Sequence, residues 1–529
     1  MLAALSRCEP VNSPSRGWTM SSASRTSMRM IRTLALALLA ALAFPALAAG
    51  RPNVVFILCD DLGVGDVGAF GQKKIRTPNI DRLAAEGMKL TAHYSGAPVC
   101  APSRCVLMTG LHSGHAAIRD NMQAKALGLP FNEGQAPLPA ETATLPRLLQ
   151  KLGYATGGFG KWGLGPVGST GDPAKQGIAR FFGYNCQAVA HNFHPTHLWD
   201  DSKQVALANP KFSAYQKLPA GADAAWPASY AGFSGKDYAP DLIAEQARRF
   251  IRENSERPFF LYFATTVPHL ALQVPEDSLA EYAGAFPEEP YAGGRGYLPH
   301  RTPRAAYAAM ITRMDREVGA LAALVKELGL DERTIFVFTS DNGPLYDLLG
   351  GTDTDFFDSA TGLRGRKGSV YEGGIRVPGI VRWKGRIAAA SESARVTGFE
   401  DWLPTLLDLI GEKDATPAAL DGISFAPALR GEAQEPRAFL YRELPGYGGQ
   451  QSVRAGDWKA VRQKLNPPAK AKNPPAPTFE LFDLAKDPRE TTDLAAQNPA
   501  IAEKLSTLLR EQHTRSPIWP IPALDGAIK

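Results

Sequence analysis

The sequence predicts an α/β protein with a large, mostly parallel mixed sheet flanked by helices and a small C-terminal α+β subdomain. Continuous apolar runs alternate with segments of helical periodicity, and each run ends abruptly in polar residues. After about residue 430 the pattern changes to short alternating strands. Strands that are buried on both faces and separated by helices are typical of an open α/β sheet.

Four apolar runs are predicted to form the central strands of the large sheet. They cover residues 53–59, 154–159, 259–264 and 334–339. The polar residues that follow them are Asp60-Asp61, Lys161, Pro268-His269 and Ser340-Asp341-Asn342. Because functional sites of such sheets lie beyond the carboxyl ends of the strands, we expect these polar residues to share one site.

Helices and a second sheet complete the predicted architecture. Apolar residues follow helical spacing over 241–252 and 307–328. The later strands are predicted at 439–443, 451–454, 458–462 and 479–484, and a final helix at 499–513. The chain is therefore divided into a main domain over 49–430 and an antiparallel-sheet subdomain with a final helix over 431–529.

Residues 1–48 are predicted to be a leader that contains a signal peptide. Two arginines precede a short apolar run over 34–44, and a small-residue cleavage motif ends at Ala48. The polar stretch before this signal suggests that the true start is Met28 or Met30. The apolar run is short for a bilayer span, so we expect no stable membrane anchor and a periplasmic or secreted protein.

Charge and cysteine content argue against several other classes of protein. The net charge is +5, but the leader's five Arg and one Glu contribute +4, so the remainder carries about +1. This balance gives no reason to expect a nucleic acid partner. Four cysteines follow the leader, too few for a disulfide framework, and no spacing argument pairs Cys59 with Cys186.

Acidic residues at two strand ends predict a metal site. The residues are Asp60, Asp61, Asp341 and Asn342. Three clustered carboxylates repel one another unless a cation holds them, and an all-oxygen set favours Ca²⁺ or Mg²⁺. Taken singly, each segment is better explained as an ordinary turn or cap. Their combination at the strand ends favours the metal.

The segment 100–110, Cys-Ala-Pro-Ser-Arg-Cys-Val-Leu-Met-Thr-Gly, is predicted to begin a helix at its first cysteine. Pro102 suits the first turn, which places Cys100 at a helix N-terminus that favours an anion. Two other interpretations remain open. Cys100 could be an ordinary packed cysteine, or a thiolate nucleophile for which no Cys/His pair is established.

Cys-x-Pro-Ser-Arg followed by Leu-x-Thr-Gly resembles the signature of the formylglycine-dependent, arylsulfatase-like sulfatases of the alkaline phosphatase-like superfamily. The resemblance covers roughly residues 51–515. Its other landmarks, in family order, are Asp60-Asp61, Gly160-Lys161-Trp162, Pro268-His269, Ser340-Asp341-Asn342-Gly343, and the segments 367–374 and 480–490. It implies an alkaline phosphatase-like fold, with 49–430 as the catalytic domain. The implied reaction is hydrolysis of a small-molecule or carbohydrate sulfate ester to alcohol and inorganic sulfate.

The resemblance also implies roles for individual residues. A formylglycine-generating enzyme would oxidise Cys100 to formylglycine, the nucleophile. The implied ligands of one Ca²⁺ are Asp60, Asp61, Cys100, Asp341 and Asn342. Arg104, Lys161 and Lys367 would surround the sulfate, and His269 would protonate the departing oxygen. Taken alone, each basic residue could equally be a solvated surface charge.

The chain departs from the family at Gly163. Many relatives carry a histidine here that helps to expel sulfate. His115 and His191 are the candidate replacements, and His115 is preferred because it lies only 15 residues past Cys100. Either histidine could instead be held in a purely structural hydrogen bond.

The substrate and two rival functions stay open. The segment 184–201, rich in His, Trp and Asn, is interpreted as a rim loop, and the insertion 209–238 carries Tyr215, Trp226 and Tyr230. Both are candidates for a pocket wall that binds sugar by aromatic stacking. The rival functions are a phosphodiester or phosphonate monoester hydrolase and a non-catalytic exported protein that binds sulfate esters.

Overall fold

The computed structural model describes residues 50–468, 473 and 475–526. The predicted leader and signal peptide lie outside these residues. The described residues from Arg51 onward form one compact unit. Within the described part of the chain, no helix combines the length and the hydropathy that crossing a membrane requires.

The regular elements occur in the following order along the described residues. The strands are β1 (Asn53–Asp60), β2 (Met88–Leu90), β3 (His93–Tyr94), β4 (Ala155–Lys161), β5 (Arg180–Tyr184), β6 (His197–Asp200), β7 (Lys203–Ala206), β8 (Phe259–Pro268), β9 (Thr334–Ser340), β10 (Gly379–Arg382), β11 (Ser391–Ser393), β12 (Thr397–Gly398), β13 (Leu440–Leu444), β14 (Gln450–Ala455), β15 (Trp458–Gln463) and β16 (Thr478–Asp483). The α-helices are α1 (Pro78–Ala85), α2 (Cys100–Thr109), α3 (Leu145–Lys151), α4 (Ala239–Glu253), α5 (Glu276–Leu279), α6 (Pro303–Glu327), α7 (Glu372–Ile375), α8 (Trp402–Leu409), α9 (Ala426–Leu429), α10 (Pro499–Glu511) and α11 (Pro522–Asp525).

Ten strands form one mixed sheet, in the order β11-β2-β10-β9-β1-β8-β4-β5-β6-β7. The four predicted strands are its centre, and β9, β1, β8 and β4 are adjacent and parallel. Side chains alternate across β1, so Val55 and Ile57 pack with α4 and α6, while Val54 and Phe56 pack with α2 and α8. Helices therefore cover both faces, which explains why the central strands are uninterrupted apolar runs.

The second sheet lies in the C-terminal region, as the sequence predicts. Strands β13 to β16 pair in order and are all antiparallel. Helix α10 packs on this sheet through Leu505 and Leu509. The predicted fold class is confirmed, whereas the boundary at residue 430 stays a prediction.

Two expectations need comment. The segment 184–201 is not a continuous rim loop, because its first residue ends β5 and His197–Asp200 forms β6, which pairs with β5 and with the edge strand β7. Strands this close to the edge of a sheet are partly exposed and lack the apolar run by which the central strands are recognised. The four described cysteines are free, so Cys59 and Cys186 form no bridge.

Candidate active site

The carboxyl ends of the central strands bring the predicted polar residues to one buried site. Asp60 ends β1 and Lys161 ends β4, while Asp341 and Asn342 follow β9 directly and His269 follows β8. All five side chains belong to residues that are at most 2% exposed. Charged groups are buried to this extent only when they are paired or bind an ion, so the site is built from mutual contacts.

Cys100 is the first residue of α2, at the position that Pro102 predicts. Its Sγ lies 3.4 Å from Asp60 Oδ1 and 3.4 Å from Lys367 Nζ. Burial, and then the negative charge of Asp60, raises the pKa of the Cys100 thiol to about 12. The unmodified thiol is therefore neutral at ordinary pH and a poor nucleophile.

Three carboxylates and three cations form pairs within the site. The pairs are Lys161 Nζ to Asp60 Oδ2 at 2.6 Å, Lys367 Nζ to Asp61 Oδ2 at 2.9 Å, and Arg104 Nη2 to Asp341 Oδ2 at 2.8 Å. Their formal charges sum to zero. A bound divalent cation would therefore give the site a net positive charge.

The carboxyl groups differ in how firmly their negative charge is held. Burial alone would raise the pKa of Asp60, but Lys161 and then His269 outweigh it and hold that pKa well below its usual range. Burial, and then the charge of Asp60, raises the pKa of Asp341 to about 6. Asp60 is thus the most firmly ionised group beside the cysteine.

The oxygen donors of the cluster, from Asp60, Asp61 and Asn342, are the kind that a hard cation such as Ca²⁺ takes. Asp60, Asp61, Cys100 and His269 each offer a ligand atom, and these atoms lie within 4.8 Å of one another. Asn342 donates through Nδ2 to Asp61 Oδ1 at 2.6 Å, while its own buried Oδ1 has no hydrogen-bond partner within the described part of the chain. A buried oxygen without a donor, beside carboxylates, is well placed to bind a cation.

Asp341, the other predicted ligand, has both oxygens in contact with the protein. Oδ1 accepts the backbone N–H of Asp61 at 3.2 Å, and Oδ2 accepts two hydrogen bonds from Arg104 at 3.0 and 2.8 Å. Arg104 also donates to the carbonyl of Lys161 at 2.6 Å. These contacts show Asp341 and Arg104 joining the ends of β9, β1 and β4.

His269 faces the cluster with one nitrogen. Its Nδ1 donates to the Leu270 carbonyl at 2.7 Å, since a carbonyl can only accept, and its Nε2 lies 3.5 Å from Asp61 Oδ2. Burial, and then the positive charge of Lys367, lowers the pKa of His269 well below its usual value. The ring is therefore neutral in the free protein.

The structure does not bring His115 to this cluster. Helix α2 has ten residues, a length of about 15 Å, and the chain turns away at Gly110, which is left-handed with φ 71°. His115 Nδ1 lies 2.9 Å from Asp421, and its ring stacks on His112. His191 is placed differently, because its ring stacks on His269 with centroids 4.6 Å apart and planes at 5°.

A cavity of about 340 Å³ opens onto Cys100, His269 and Lys367. Arg104 and Lys161 do not line the cavity, so they contact the cluster on the side away from it. An amide cluster lines part of the cavity and consists of Asn121, Gln123, Gln135 and Gln187. Two tyrosine pairs also line it, Tyr215 with Tyr297 and Tyr346 with Tyr447.

Most of the cavity lining was beyond sequence reasoning. From the two segments considered for a pocket wall, Gln187, Ala188, His191 and Tyr215 line the cavity, whereas Trp226 is 62% exposed and does not. The other three amides, together with Tyr297 and Tyr447, come from segments that follow none of the four predicted central strands. The sequence does mark Tyr447 as a candidate for the cavity, because it is an aromatic residue among the glycines of the segment 446–449.

Comparison with known proteins decides the family. The sulfatase family model matches residues 52–412, and a model described as the C-terminal part of N-sulphoglucosamine sulphohydrolase matches residues 365–515. The chain belongs to the sulfatase family. Its relatives are sulfuric ester hydrolases, and this protein is accordingly a sulfatase, an enzyme that hydrolyses sulfate esters.

Three similar proteins illustrate the relationship. Human arylsulfatase A is 33% identical over 511 residues, covering 90% of this chain and 90% of that protein. Mouse steryl-sulfatase is 31% identical over 545 residues, covering 88% and 82%. The crystal structure of Ps i-CgsB in complex with k-i-k-neocarrahexaose is 25% identical with a TM-score of 0.68, covering 90% of this chain and 96% of that one. The resemblance and the fold that the sequence predicts are thus confirmed.

Proposed function

We propose that this sulfatase hydrolyses the sulfate ester of a carbohydrate or other small alcohol, and that its nucleophile is formylglycine made from Cys100. The position of Cys100 carries the proposal. The residue begins a buried helix, contacts Asp60 and Lys367 at 3.4 Å, and lies at the inner end of the cavity. A neutral thiol there has little reactivity, whereas formylglycine supplies a hydroxyl that can attack sulfur.

Maturation requires a formylglycine-generating enzyme as a transient partner. The leader supports export to the periplasm or beyond. Cys105, which lies five residues later in the same helix, lacks a following Pro-x-Arg and stays a thiol. The two cysteines therefore differ in chemistry although both are buried.

One Ca²⁺ would be held by Asp60, Asp61 and Asn342, with Cys100 in its modified form as a further ligand and Asp341 beside them. When bound, the ion neutralises sulfate oxygens and lowers the pKa of the attacking hydroxyl. Its charge adds to a residue set that is otherwise neutral. The cavity end then attracts an anion.

Lys367 binds the sulfate group, because it lines the cavity and lies 3.4 Å from Cys100 Sγ. Lys161 and Arg104 act through the carboxylates. Lys161 holds Asp60 at 2.6 Å, and Arg104 holds Asp341 at 2.8 Å. These two residues fix the orientation of the acidic groups without touching the substrate.

His269 donates the proton to the departing alcohol oxygen through Nε2. The negative charge of a bound sulfate ester raises the pKa of the ring and offsets the effect of burial. His191, stacked on His269, is the better candidate for the base that assists sulfate release. Burial, and then His269, lowers the pKa of His191 well below its usual value, so its ring is neutral and carries one unprotonated nitrogen.

Peptide mass spectrometry combined with a hydrolysis assay tests the proposal. Protein produced with a formylglycine-generating enzyme should carry an aldehyde or its hydrate at Cys100, while the Cys105 peptide serves as the unmodified internal control. It should hydrolyse 4-nitrophenyl sulfate faster than 4-nitrophenyl phosphate. Active protein with an unmodified Cys100, or a preference for the phosphate, would contradict the proposal.

A further inference from the structure

Gln187 is a buried side chain of the cavity whose amide is not fully bonded. The residue is 5% exposed and lines the same cavity as Cys100 and His269. Its backbone N–H donates to Gln135 Oε1 at 2.9 Å, but its side-chain Nε2 has no hydrogen-bond partner among the residues that the structure describes. Buried amides are normally satisfied, so an unpaired one in a binding cavity points to a ligand.

Gly163 makes room for this amide. The residue has φ 75°, and a Cβ built on it would lie 2.6 Å from Gln187 Nε2 and 3.0 Å from Gln187 Cγ. Any side chain at position 163 would therefore displace Gln187. The glycine that departs from the family pattern and the glutamine in the cavity are two parts of one arrangement.

The rest of the amide cluster holds Gln187 in place. Gln135 is also buried, and its backbone forms an antiparallel bridge with Gln123. Asn121 accepts the backbone N–H of Ala101 at 2.9 Å, which ties the cluster to the start of α2 beside Cys100. The amides are thus preorganised around the nucleophile position, which lowers the entropic cost of binding.

The lining has few charges apart from the catalytic groups. Among its described residues, Lys367 is the one Lys or Arg, and Asp61 already pairs with it at 2.9 Å. No unpaired cation remains in that lining for a second anionic group. Amides both donate and accept hydrogen bonds, as hydroxyl groups do, and tyrosine faces pack against sugar rings.

We propose that the alcohol portion of the substrate is an uncharged sugar ring, and that Gln187 hydrogen-bonds a hydroxyl on that ring next to the scissile ester. The inference deepens the proposed function and rests on it for the chemical step. Gln187 is thereby a specificity-determining residue. The volume of about 340 Å³ suits one ring rather than a longer segment of polymer.

The first test compares the kcat/KM of wild type, Gln187→Leu and the exposed control Gln204→Leu. The substrates are 4-nitrophenyl sulfate, galactose and glucose monosulfates substituted at each hydroxyl, and the corresponding glucuronate monosulfates. Gln187→Leu should lose about tenfold or more on the best hexose sulfate and less than about threefold on 4-nitrophenyl sulfate. Gln204→Leu should change neither. Gln187→Ala is the second variant if leucine disturbs folding.

The second test measures binding without turnover. Calorimetry on Cys100→Ala protein should show binding of the best hexose monosulfate, weakened about tenfold by adding Gln187→Leu. If this loss occurs but wild type hydrolyses no sulfate ester, the proposed function fails and the inference stands. If wild type hydrolyses sulfate esters but Gln187→Leu lowers kcat/KM equally for the hexose sulfate and 4-nitrophenyl sulfate, or for neither, the inference fails while the proposed function stands. Preference for a glucuronate sulfate, or no hexose sulfate binding, also overturns it.

Discussion

Two buried ion clusters of this protein contain the same kinds of side chain but differ in their surroundings. In the active site, Lys161 and Lys367 pair with Asp60 and Asp61 at the strand ends. In the C-terminal region, Lys459 of β15 lies 2.9 Å from both Glu372 and Glu490. Sequence landmarks lead to both clusters, since the segment 367–374 contributes Lys367 to the first and Glu372 to the second.

The clusters differ in access. Lys367 and Cys100 open onto a cavity. Glu372, by contrast, accepts from Tyr94 at 2.7 Å, and its backbone N–H donates to Glu490 at 2.7 Å, with no cavity among those described. Burial of charge alone therefore does not mark a catalytic site. Access from a cavity is what distinguishes the cluster around Cys100.

Cys100→Ala should have the largest effect, because it removes the proposed nucleophile from the cluster that opens onto the cavity. We expect kcat/KM for 4-nitrophenyl sulfate to fall by about 10⁴-fold or more. The melting temperature should stay near that of wild type, since a small buried side chain is replaced by another. Cys105→Ala in the same helix is the matched control and should keep most activity. Substantial turnover by Cys100→Ala would show that Cys100 does not supply the nucleophile.

His269→Gln should lower the rate of hydrolysis by an amount that depends on the leaving group. Loss of a general acid costs about 10²- to 10⁴-fold for a poorly acidic alcohol. The loss should shrink along a series of aryl sulfates as the phenol becomes more acidic, because such leaving groups depart without a proton. The rates of wild type and of the variant on that series, plotted on a logarithmic scale against the pKa of the leaving phenol, give one slope for each protein. Equal slopes would assign His269 a role other than proton donation.

Lys459→Met tests the cluster of Lys459, Glu372 and Glu490 and should lower the free energy of unfolding. Removing the lysine leaves Glu372 and Glu490 buried without their shared cation, which costs about 3–5 kcal/mol in the free energy of unfolding. Activity per folded molecule should be retained, since the cluster touches no cavity. Denaturant unfolding followed by an assay of the folded fraction measures both. Lys486→Met, which removes an exposed lysine, should change neither quantity.

Calcium should stabilise the cluster around Cys100 and leave the cluster around Lys459 unaffected. A ligand present at about 100 times its Kd adds about 2.7 kcal/mol to the free energy of unfolding. Wild type should therefore melt higher in Ca²⁺ than in chelator, and Lys459→Met should show the same increment. Asn342→Leu should reduce it. An Asn342→Leu protein with the full calcium increment would show that its unpaired oxygen is not a ligand.

The sequence was sufficient to predict the sheet centre and the reactive end of the site. Each central strand is an apolar run closed by polar residues, so the positions of Asp60, Lys161, His269 and Asp341 follow from local pattern and strand parallelism. Their roles as ligands and catalysts remain predictions. Family resemblance added the interpretation of Cys100, whose surroundings the structure now describes.

The segments 184–201 and 209–238 were predicted as wall candidates and do contribute to the cavity, but the contacts within the wall could not be predicted, because they are a tertiary property. Gln187 contacts Gly163 only because β4 and β5 are paired, and Tyr447 reaches the cavity from the C-terminal sheet. His115 illustrates the limit of sequence distance. It is close to Cys100 along the chain, but a whole helix separates them, whereas the more distant His191 stacks on His269.

A pH effect on stability should arise in the C-terminal region and be the smallest of those expected. Burial alone would lower the pKa of His513, but its contact with Glu443 at 2.7 Å, and then that with Asp525, raises it. Because the folded-state pKa is raised, the stabilisation is fully present below about pH 6.5, the unfolded value, and is lost as pH rises through the folded pKa. We expect a loss of about 1 kcal/mol or less after solvent screening. Unfolding curves from pH 6 upward should show this decline in wild type, and His513→Gln should flatten it; an unchanged slope in the variant would place the titrating group elsewhere.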